Sequence, residues 1–263
     1  MNRDVPEFRL DELRERRTRY CVCVAVLDEG ERIQRQLERM RPLADLADVV
    51  VADGGSTDGS LRLPALRPLG VRALLTKLGP GGLSAQLRMA FAWALDEGYD
   101  GVVVIDGNDK DDPAALPSFL AALADGYDHV QGSRFVPGGR AVRTPPARLL
   151  GLRLVHAPAI SLAAGVRYTD TTNGFRAYSR RLLLDPRVAP FRAVFSAYEL
   201  HYYLAIRAPR LGYRTIEVAV TRAYPARGRT PTKISPLRGN LRIFRTLLRA
   251  CLHRFDPAPI DAR

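Results

Sequence analysis

Cysteine is scarce in this 263-residue chain: Cys21, Cys23 and Cys251 give an odd count with no metal-type spacing. Histidine is scarcer still relative to its uses, with only His129, His156, His201 and His253, all scattered. These shortages exclude a disulfide scaffold and a Cys/His zinc site. No run approaches the roughly 18–20 uninterrupted apolar residues of a membrane-spanning helix, and the first residues mix acids with arginines, unlike a signal or transit peptide. The expectation is a protein that starts and stays in the cytosol. Missing too are a GxxxxGK[ST] loop and a GxGxxG after the first strand, which argues against ATPases and dinucleotide oxidoreductases. No repeat, low-complexity tract or polar linker divides the chain, so one domain is expected. At 46% hydrophobic and 26% charged, the composition is globular and can bury a core.

Acid is what the second half lacks. Residues 1–130 carry 16 Lys+Arg against 22 Asp+Glu, whereas residues 131–263 carry 24 against 6, so a net charge of +12 hides halves of −6 and +18. Such a split suits a first half that holds a cation and a base or sugar, and a second that faces phosphates or an anionic surface. A general surface excess of arginine would give the same numbers. A nucleic-acid-binding module is disfavoured, because interleaved aromatics are missing and acidic strand ends would repel phosphates.

Arg3 to Arg19 reads as a charged solvated arm. Tyr20–Leu27 is an apolar, β-branched run that reads as a buried first strand. Helical spacing over Ile33–Met40, apolar runs at Asp48–Ala52 and Val71–Leu75, a helix over Gly81–Leu95 and a strand at Gly101–Ile105 follow. This alternation predicts βαβ units and a mainly parallel sheet. The second half has an apolar helix about Leu149–Ala164, a polar turn at Thr169–Gly174, and a C-terminal helix over Leu237–Phe255. On that last helix Leu237, Leu241, Phe244, Leu248, Cys251, Leu252 and Phe255 share one face, flanked by Arg238, Arg242, Arg245 and Arg249. That face is expected either to pack on the sheet or to lie on an anionic membrane surface.

Ligands of parallel sheets bind beyond the carboxyl ends of the strands. Here those ends are acidic: Asp28-Glu29-Gly30, Asp53-Gly-Gly-Ser-Thr-Asp58, and Asp106-Gly-Asn-Asp-Lys-Asp-Asp112. Three acidic ends on one edge would repel unless a cation or hydrogen-bond donors lay between them. Asp58, Ser56 and Asp112 can instead be read as caps, the last followed by Pro113 at a first helical position.

Taken in order, Val26-Leu-Asp-Glu29, Val51-Ala-Asp-Gly-Gly-Ser-Thr-Asp-Gly59, Gly79-Pro-Gly-Gly82, Val104-Ile-Asp-Gly-Asn108, Gln131-Gly-Ser-Arg-Phe135, Thr172-Asn-Gly-Phe-Arg176 and Thr230-Pro-Thr-Lys-Ile234 resemble the inverting family-2 glycosyltransferases. The similarity is greatest to the dolichyl-phosphate mannosyltransferase-like branch. The resemblance implies an α/β GT-A fold, a single Rossmann-like sheet with helices on both faces. It implies a catalytic domain over 20–235, with a nucleotide half to about 130 and an acceptor half beyond it, between an arm at 1–19 and a basic tail at 236–263. It implies donor contacts from Asp28, Glu29, Asp53, Gly82, Asp106, Arg134, Arg176, Arg227 and Lys233. It also implies Mg2+ or Mn2+ on Asp106 and Asn108, where the amide is a departure that adds no charge, so that Asp109 or Asp111 would have to help. Asp106 is a catalytic candidate on the same ground, and Glu199 or Asp170 is the candidate base, needed for a hydroxyl acceptor but not for a phosphate. The arginines set among Gly, Ser and Thr, Arg222 included, suit phosphates.

The expected activity is metal-dependent inverting transfer from a nucleotide-sugar, with UDP favoured and UDP-N-acetylglucosamine a candidate, to a small-molecule or lipid-phosphate acceptor. The alternatives are polyprenyl-phosphate mannosyl transfer from GDP-mannose and, in another class, nucleotidyl transfer. The protein is expected in the cytoplasm, touching the inner face of the membrane through its C-terminal helix.

Overall fold

The computed structural model describes residues 3–226 and 238–258. The strands are β1 (Phe8–Glu12), β2 (Cys21–Val26), β3 (Asp48–Asp53), β4 (Val71–Lys77), β5 (Gly101–Asp106), β6 (His129–Ser133), β7 (Arg140–Val142), β8 (Arg176–Ser179), β9 (Thr215–Ala219) and β10 (Thr221–Ala223). The helices are α1 (Glu31–Met40), α2 (Leu63–Leu66), α3 (Leu83–Asp96), α4 (Leu116–Ala124), α5 (Pro146–Gly151), α6 (Ala157–Ala164), α7 (Arg180–Leu184), α8 (Glu199–Arg210) and α9 (Arg238–Cys251).

Eight strands form one sheet in the order β1-β4-β3-β2-β5-β8-β6-β9, and β10 pairs with β7 in a small second sheet. From β4 to β5 the pairing is parallel, as the alternation predicted. β8 then runs antiparallel to both β5 and β6, and β9 is parallel to β6. All six residues of β2 are buried, because successive side chains alternate between two covered faces. Cys21 and Cys23 enter a core with α3, α6, α8 and α9. Val22, Val24 and Val26 enter a second core with α1 and α4, where Ile33, Leu37 and Met40 meet them at helical spacing.

Two expectations change. The N-terminal arm is not merely a solvated segment: Phe8–Glu12 is an edge strand antiparallel to β4, with Phe8 opposite Lys77, and Val5, Phe8 and Leu13 pack on the cores. Its charges suit an edge, where they discourage pairing with another chain. Residues Pro146–Ala164 form one continuous helical stretch of 19 residues, with a π turn at Leu152–His156. It has a mean hydropathy of 1.2 and is long and apolar enough, by length and composition, to cross a membrane, and only 28% of it is buried. It is thus more apolar and more open than the sequence reading allowed.

Helix α9 divides its apolar residues between a packed stripe and an exposed one. Thr246, Leu247 and Ala250 are buried, with Ile243 packed beside them, whereas Leu241, Phe244, Leu248 and the following Leu252 are about half exposed. Of the other residues assigned to the exposed face, Phe255 is buried, Cys251 is half-buried, and Leu237 lies outside the described residues.

Candidate active site

The ends of β2 and β3 are locked together by their own polar residues. Asp53 Oδ1 accepts hydrogen bonds from the backbone N–H of Gly55 (3.1 Å) and Ser56 (2.8 Å) and from the Ser56 hydroxyl (2.7 Å). Ser56 Oγ in turn accepts from the Asp28 N–H at 2.9 Å, and Asp28 Oδ1 accepts from Thr57 N–H at 2.7 Å. Asp28 holds a left-handed φ of 45°, which an aspartate tolerates better than most residues. Gly30 N–H donates to Asp58 at 2.8 Å, while Ser60 bonds the other oxygen of that carboxylate. Asp28, Glu29, Gly30, Glu31, Arg32, Arg35 and Asp58 line an open cleft of about 400 Å³. Glu29 is already paired with Arg32 at 2.6 Å. Beneath these loops Gln86 of α3 donates to the carbonyls of Val26 and Ala52, clamping both strand ends from inside. Gln86 belongs to none of the sequence motifs; its signal is an amide within the apolar stretch of α3, which is buried from Ser84 to Leu95.

Asp106 ends β5. Gly174, in the loop before β8, abuts it so closely that a Cβ there would lie 2.7 Å from Asp106 Oδ1. Gly107 is equally constrained, since its Cβ would lie 2.7 Å from Val26 Cγ2. Asn108 Nδ2 is 3.4 Å from Asp106 Oδ2, and Asn108 Oδ1 accepts from Lys110 N–H at 3.3 Å. Arg222 of β10 reaches Asp106 Oδ2 at 3.2 Å and also bonds Asp111. Burial pushes the Asp111 carboxyl up to about 6 against the pull of Arg222. Burial also works against the Arg222 cation, but Asp111 and Asp106 hold its pKa above the ordinary value. Lys110, 7% exposed, has its pKa lowered by burial and then by Arg222.

One carboxylate and one amide oxygen suit a hard cation once phosphate oxygens complete the shell, which is how Mg2+ usually binds. Among the described residues no three His, Cys, Asp or Glu side chains group into a metal-holding cluster. Asp109, expected to help, is held away on Arg39 of α1 at 2.8 Å. Asp112 caps the turn that follows, accepting from Ala114 N–H at 3.2 Å, as the Pro113 signature suggested.

Several residues expected at the donor or as the base already have partners. Arg176 spends its guanidinium on backbone carbonyls: Asn173 (2.9 Å), His201 (2.7 Å) and Thr171 (2.8 Å). It braces the loop before β8 from within. Asp170, 0% exposed, is gripped bidentately by Arg134 at 2.6 and 3.0 Å. The backbone N–H of Thr169 and Asp170 also donate to Glu217 of β9. A carboxylate so committed would have to leave a buried arginine in order to take a proton from an acceptor. The Gly82 N–H donates to Ser196 O at 2.7 Å.

Glu199 opens α8 and accepts from the Ala197 N–H. It lines a cavity of about 510 Å³ with Leu241, Arg242, Arg245, Thr246 and Arg249 of α9. The structure therefore brings Asp28, Asp53, Asp106 and Asn108 to one sheet edge, sets Glu199 in the lining of a basic cavity, and buries Asp170 and Arg176 in contacts with Arg134 and with backbone carbonyls. Arg227 and Lys233 lie outside the described residues.

The sequence pattern of glycosyl transferase family 2 matches residues 21–185. The chain is 33% identical over 210 residues to undecaprenyl-phosphate mannosyltransferase of Micrococcus luteus, covering 77% of this chain and 83% of the relative. It is 31% identical over 206 residues to polyprenol monophosphomannose synthase of Mycolicibacterium smegmatis, covering 77% of each. Glucosyl-3-phosphoglycerate synthase of Mycobacterium tuberculosis, crystallised with Mn2+, UDP and phosphoglyceric acid, superposes with a TM-score of 0.62 at 22% identity, over 88% of this chain and 78% of that one. The sheet order, the acidic strand ends and these matches together make the chain a member of glycosyl transferase family 2 with the GT-A fold.

Proposed function

We propose that the protein transfers a hexose, mannose from GDP-mannose in the first instance, to a polyprenyl phosphate at an anionic membrane surface. The UDP-sugar expectation yields to this reading because relatives with at least 30% identity over most of the chain are named for polyprenyl-phosphate mannosyl chemistry. The observation that carries the acceptor is a surface one. Leu150, Leu154, Val155 and Leu162 stand exposed on the 146–164 stretch, and Leu241, Phe244, Leu248 and Leu252 stand exposed on and just after α9. Leu162 is 87% exposed and Leu154 67%, values that waste apolar area in water. Both stretches lie in acid-free sequence, since no Asp or Glu occurs between Asp128 and Asp170 or between Glu217 and Asp256. Apolar faces among arginines suit a bilayer interface, where the stems bury and the guanidinium groups meet lipid phosphates.

On this reading the loops of Asp28 and Asp53 cradle the nucleoside, and Asp106 with Asn108 would hold Mg2+ or Mn2+. The ion, when bound, neutralises charge developing on the leaving group. A phosphate acceptor arrives as an anion and needs no proton removed, which agrees with an Asp170 locked in an ion pair. Glu199 serves as base only if the acceptor is a hydroxyl.

Calorimetry with GDP-mannose, UDP-glucose and UDP-N-acetylglucosamine, each with Mn2+ and with EDTA, tests the donor. Tighter binding of GDP-mannose with Mn2+ is expected; selective binding of a UDP-sugar would overturn the mannosyl assignment.

A further inference from the structure

Arg222 is a cation in an interior place, 8% exposed, and its position is fixed by the main chain around it. Asp111 and Arg222 form a backbone bridge, Asp112 N–H donates to Thr221 O at 2.9 Å, and Ala223 N–H donates to Lys110 O at 2.8 Å. The loop after β5 and strand β10 are therefore joined through their main chains. Across this seam the guanidinium bonds Asp111 with one nitrogen and lies 3.2 Å from Asp106 Oδ2 with the other. The ammonium of Lys110 is buried close by, 5.5 Å from the centre of the Tyr224 ring.

Asp106 is the one full negative charge at the position offered to a metal, because its partner there is Asn108. A guanidinium at hydrogen-bond distance neutralises that charge and competes for the same oxygen. A dication gains little from such an edge until further negative charge arrives, and a diphosphate brings it. We infer that Arg222 is a resident counter-cation that occupies Asp106 in the donor-free protein and yields it when a nucleoside diphosphate enters. Metal uptake is thereby coupled to the donor. Arg222 acts through Asp106 and is a positioning residue; this inference rests on the assignment of Asp106 as a metal ligand made above.

Titration of the full-length protein with Mn2+ alone, followed by loss of the free-ion EPR signal, tests it without any turnover. Removing Arg222 by itself would leave Asp111 as an uncompensated buried charge, so the variant is Arg222→Met with Asp111→Asn. The double variant is expected to bind Mn2+ roughly tenfold or more tightly than wild type in the absence of nucleotide. Arg222→Lys, which keeps the cation, should stay near wild type. A merely structural Arg222 predicts unchanged or weaker Mn2+ binding in the double variant, and that result would overturn the inference. So would wild-type protein that binds Mn2+ equally well with and without a nucleoside diphosphate shown by calorimetry to be bound. Failure of GDP, UDP and their sugars to bind at all would instead sink the donor assignment, and the nucleotide-free Mn2+ comparison would still decide Arg222.

Discussion

Gly174→Ala isolates the placement of Asp106 from the stability of the fold. A Cβ at position 174 would lie 2.7, 3.0 and 3.2 Å from Oδ1, Cγ and Oδ2 of Asp106, and nothing else is closer. The backbone at Gly174 does not need a left-handed φ, so an alanine meets no conformational barrier there. Ordinary contact between heavy atoms begins near 3.5 Å, so the carboxylate must retreat by about 0.8 Å. It can do so, because it ends a flexible side chain that keeps 25% of its surface exposed. The steric cost should therefore fall at the low end of the range of about 1–3 kcal/mol for overpacking, a drop of roughly 2–4 °C in Tm for a chain of this size. The cost to function should be larger, since a 1 Å misplacement in a site can remove on the order of 100-fold in rate. Differential scanning calorimetry and kcat/KM for the sugar donor separate the two. A variant that melts slightly early and loses between about 10-fold and 100-fold in kcat/KM is expected. Full activity in Gly174→Ala would refute the claim that this contact positions a functional Asp106.

The remaining predictions concern the pair at Asp170, the buried histidines and the membrane face. Asp170→Asn leaves Arg134 buried without its anion and should cost roughly 3–5 kcal/mol in urea unfolding, with any folded fraction keeping the wild-type pH–rate profile. A profile that loses an acidic limb would restore Asp170 as the base. His129 is held neutral down to about 3, and His201 well below its usual value, by burial first and then by Arg176. Both pKa values are depressed, so the unfolded chain binds more protons below about 6.5 and stability must fall as pH drops through that value. Between pH 7.0 and 5.5 the two should contribute about 2.5 kcal/mol of loss. Urea melts of His129→Gln/His201→Gln should show that much less acid sensitivity, and an unchanged slope would rule the histidines out. Anionic liposomes should capture the full-length protein at low salt and release it at high salt. Leu241, Phe244 and Leu248 changed together to Ser should abolish capture while the chain stays folded with a lowered Tm, because about half of each side chain is exposed; capture that survives the substitution would exclude α9 as the docking face.

What the sequence disclosed was local. The apolar run of β2 reads as a strand because six consecutive buried positions need no knowledge of their partners, and Asp112 reads as a cap because its proline follows immediately. The acidic strand ends were legible for the same reason: each acid directly follows an apolar run. Non-local pairings were not legible. Phe8–Glu12 becomes a strand only because β4 lies beside it, its paired residues 61 to 69 positions on in the chain. Arg176 sits among Gly and Thr as a phosphate-binding arginine would, yet its three acceptors are carbonyls brought together by the fold. Asp170 finds Arg134 across 36 residues, and Asp106 finds Arg222 across 116. Glu217, which ties down the Thr169–Asp170 turn, carried no local mark of that role.

The most direct measurement is sugar transfer itself. Purified full-length protein is given radiolabelled GDP-mannose with Mn2+ and, in parallel, a polyprenyl phosphate, the corresponding polyprenol and 3-phosphoglycerate. Label should pass into the organic phase with the polyprenyl phosphate alone, and the product should carry the anomeric configuration inverted from the donor. Label transferred to the polyprenol or to 3-phosphoglycerate, with the polyprenyl phosphate left unmodified, would contradict the account.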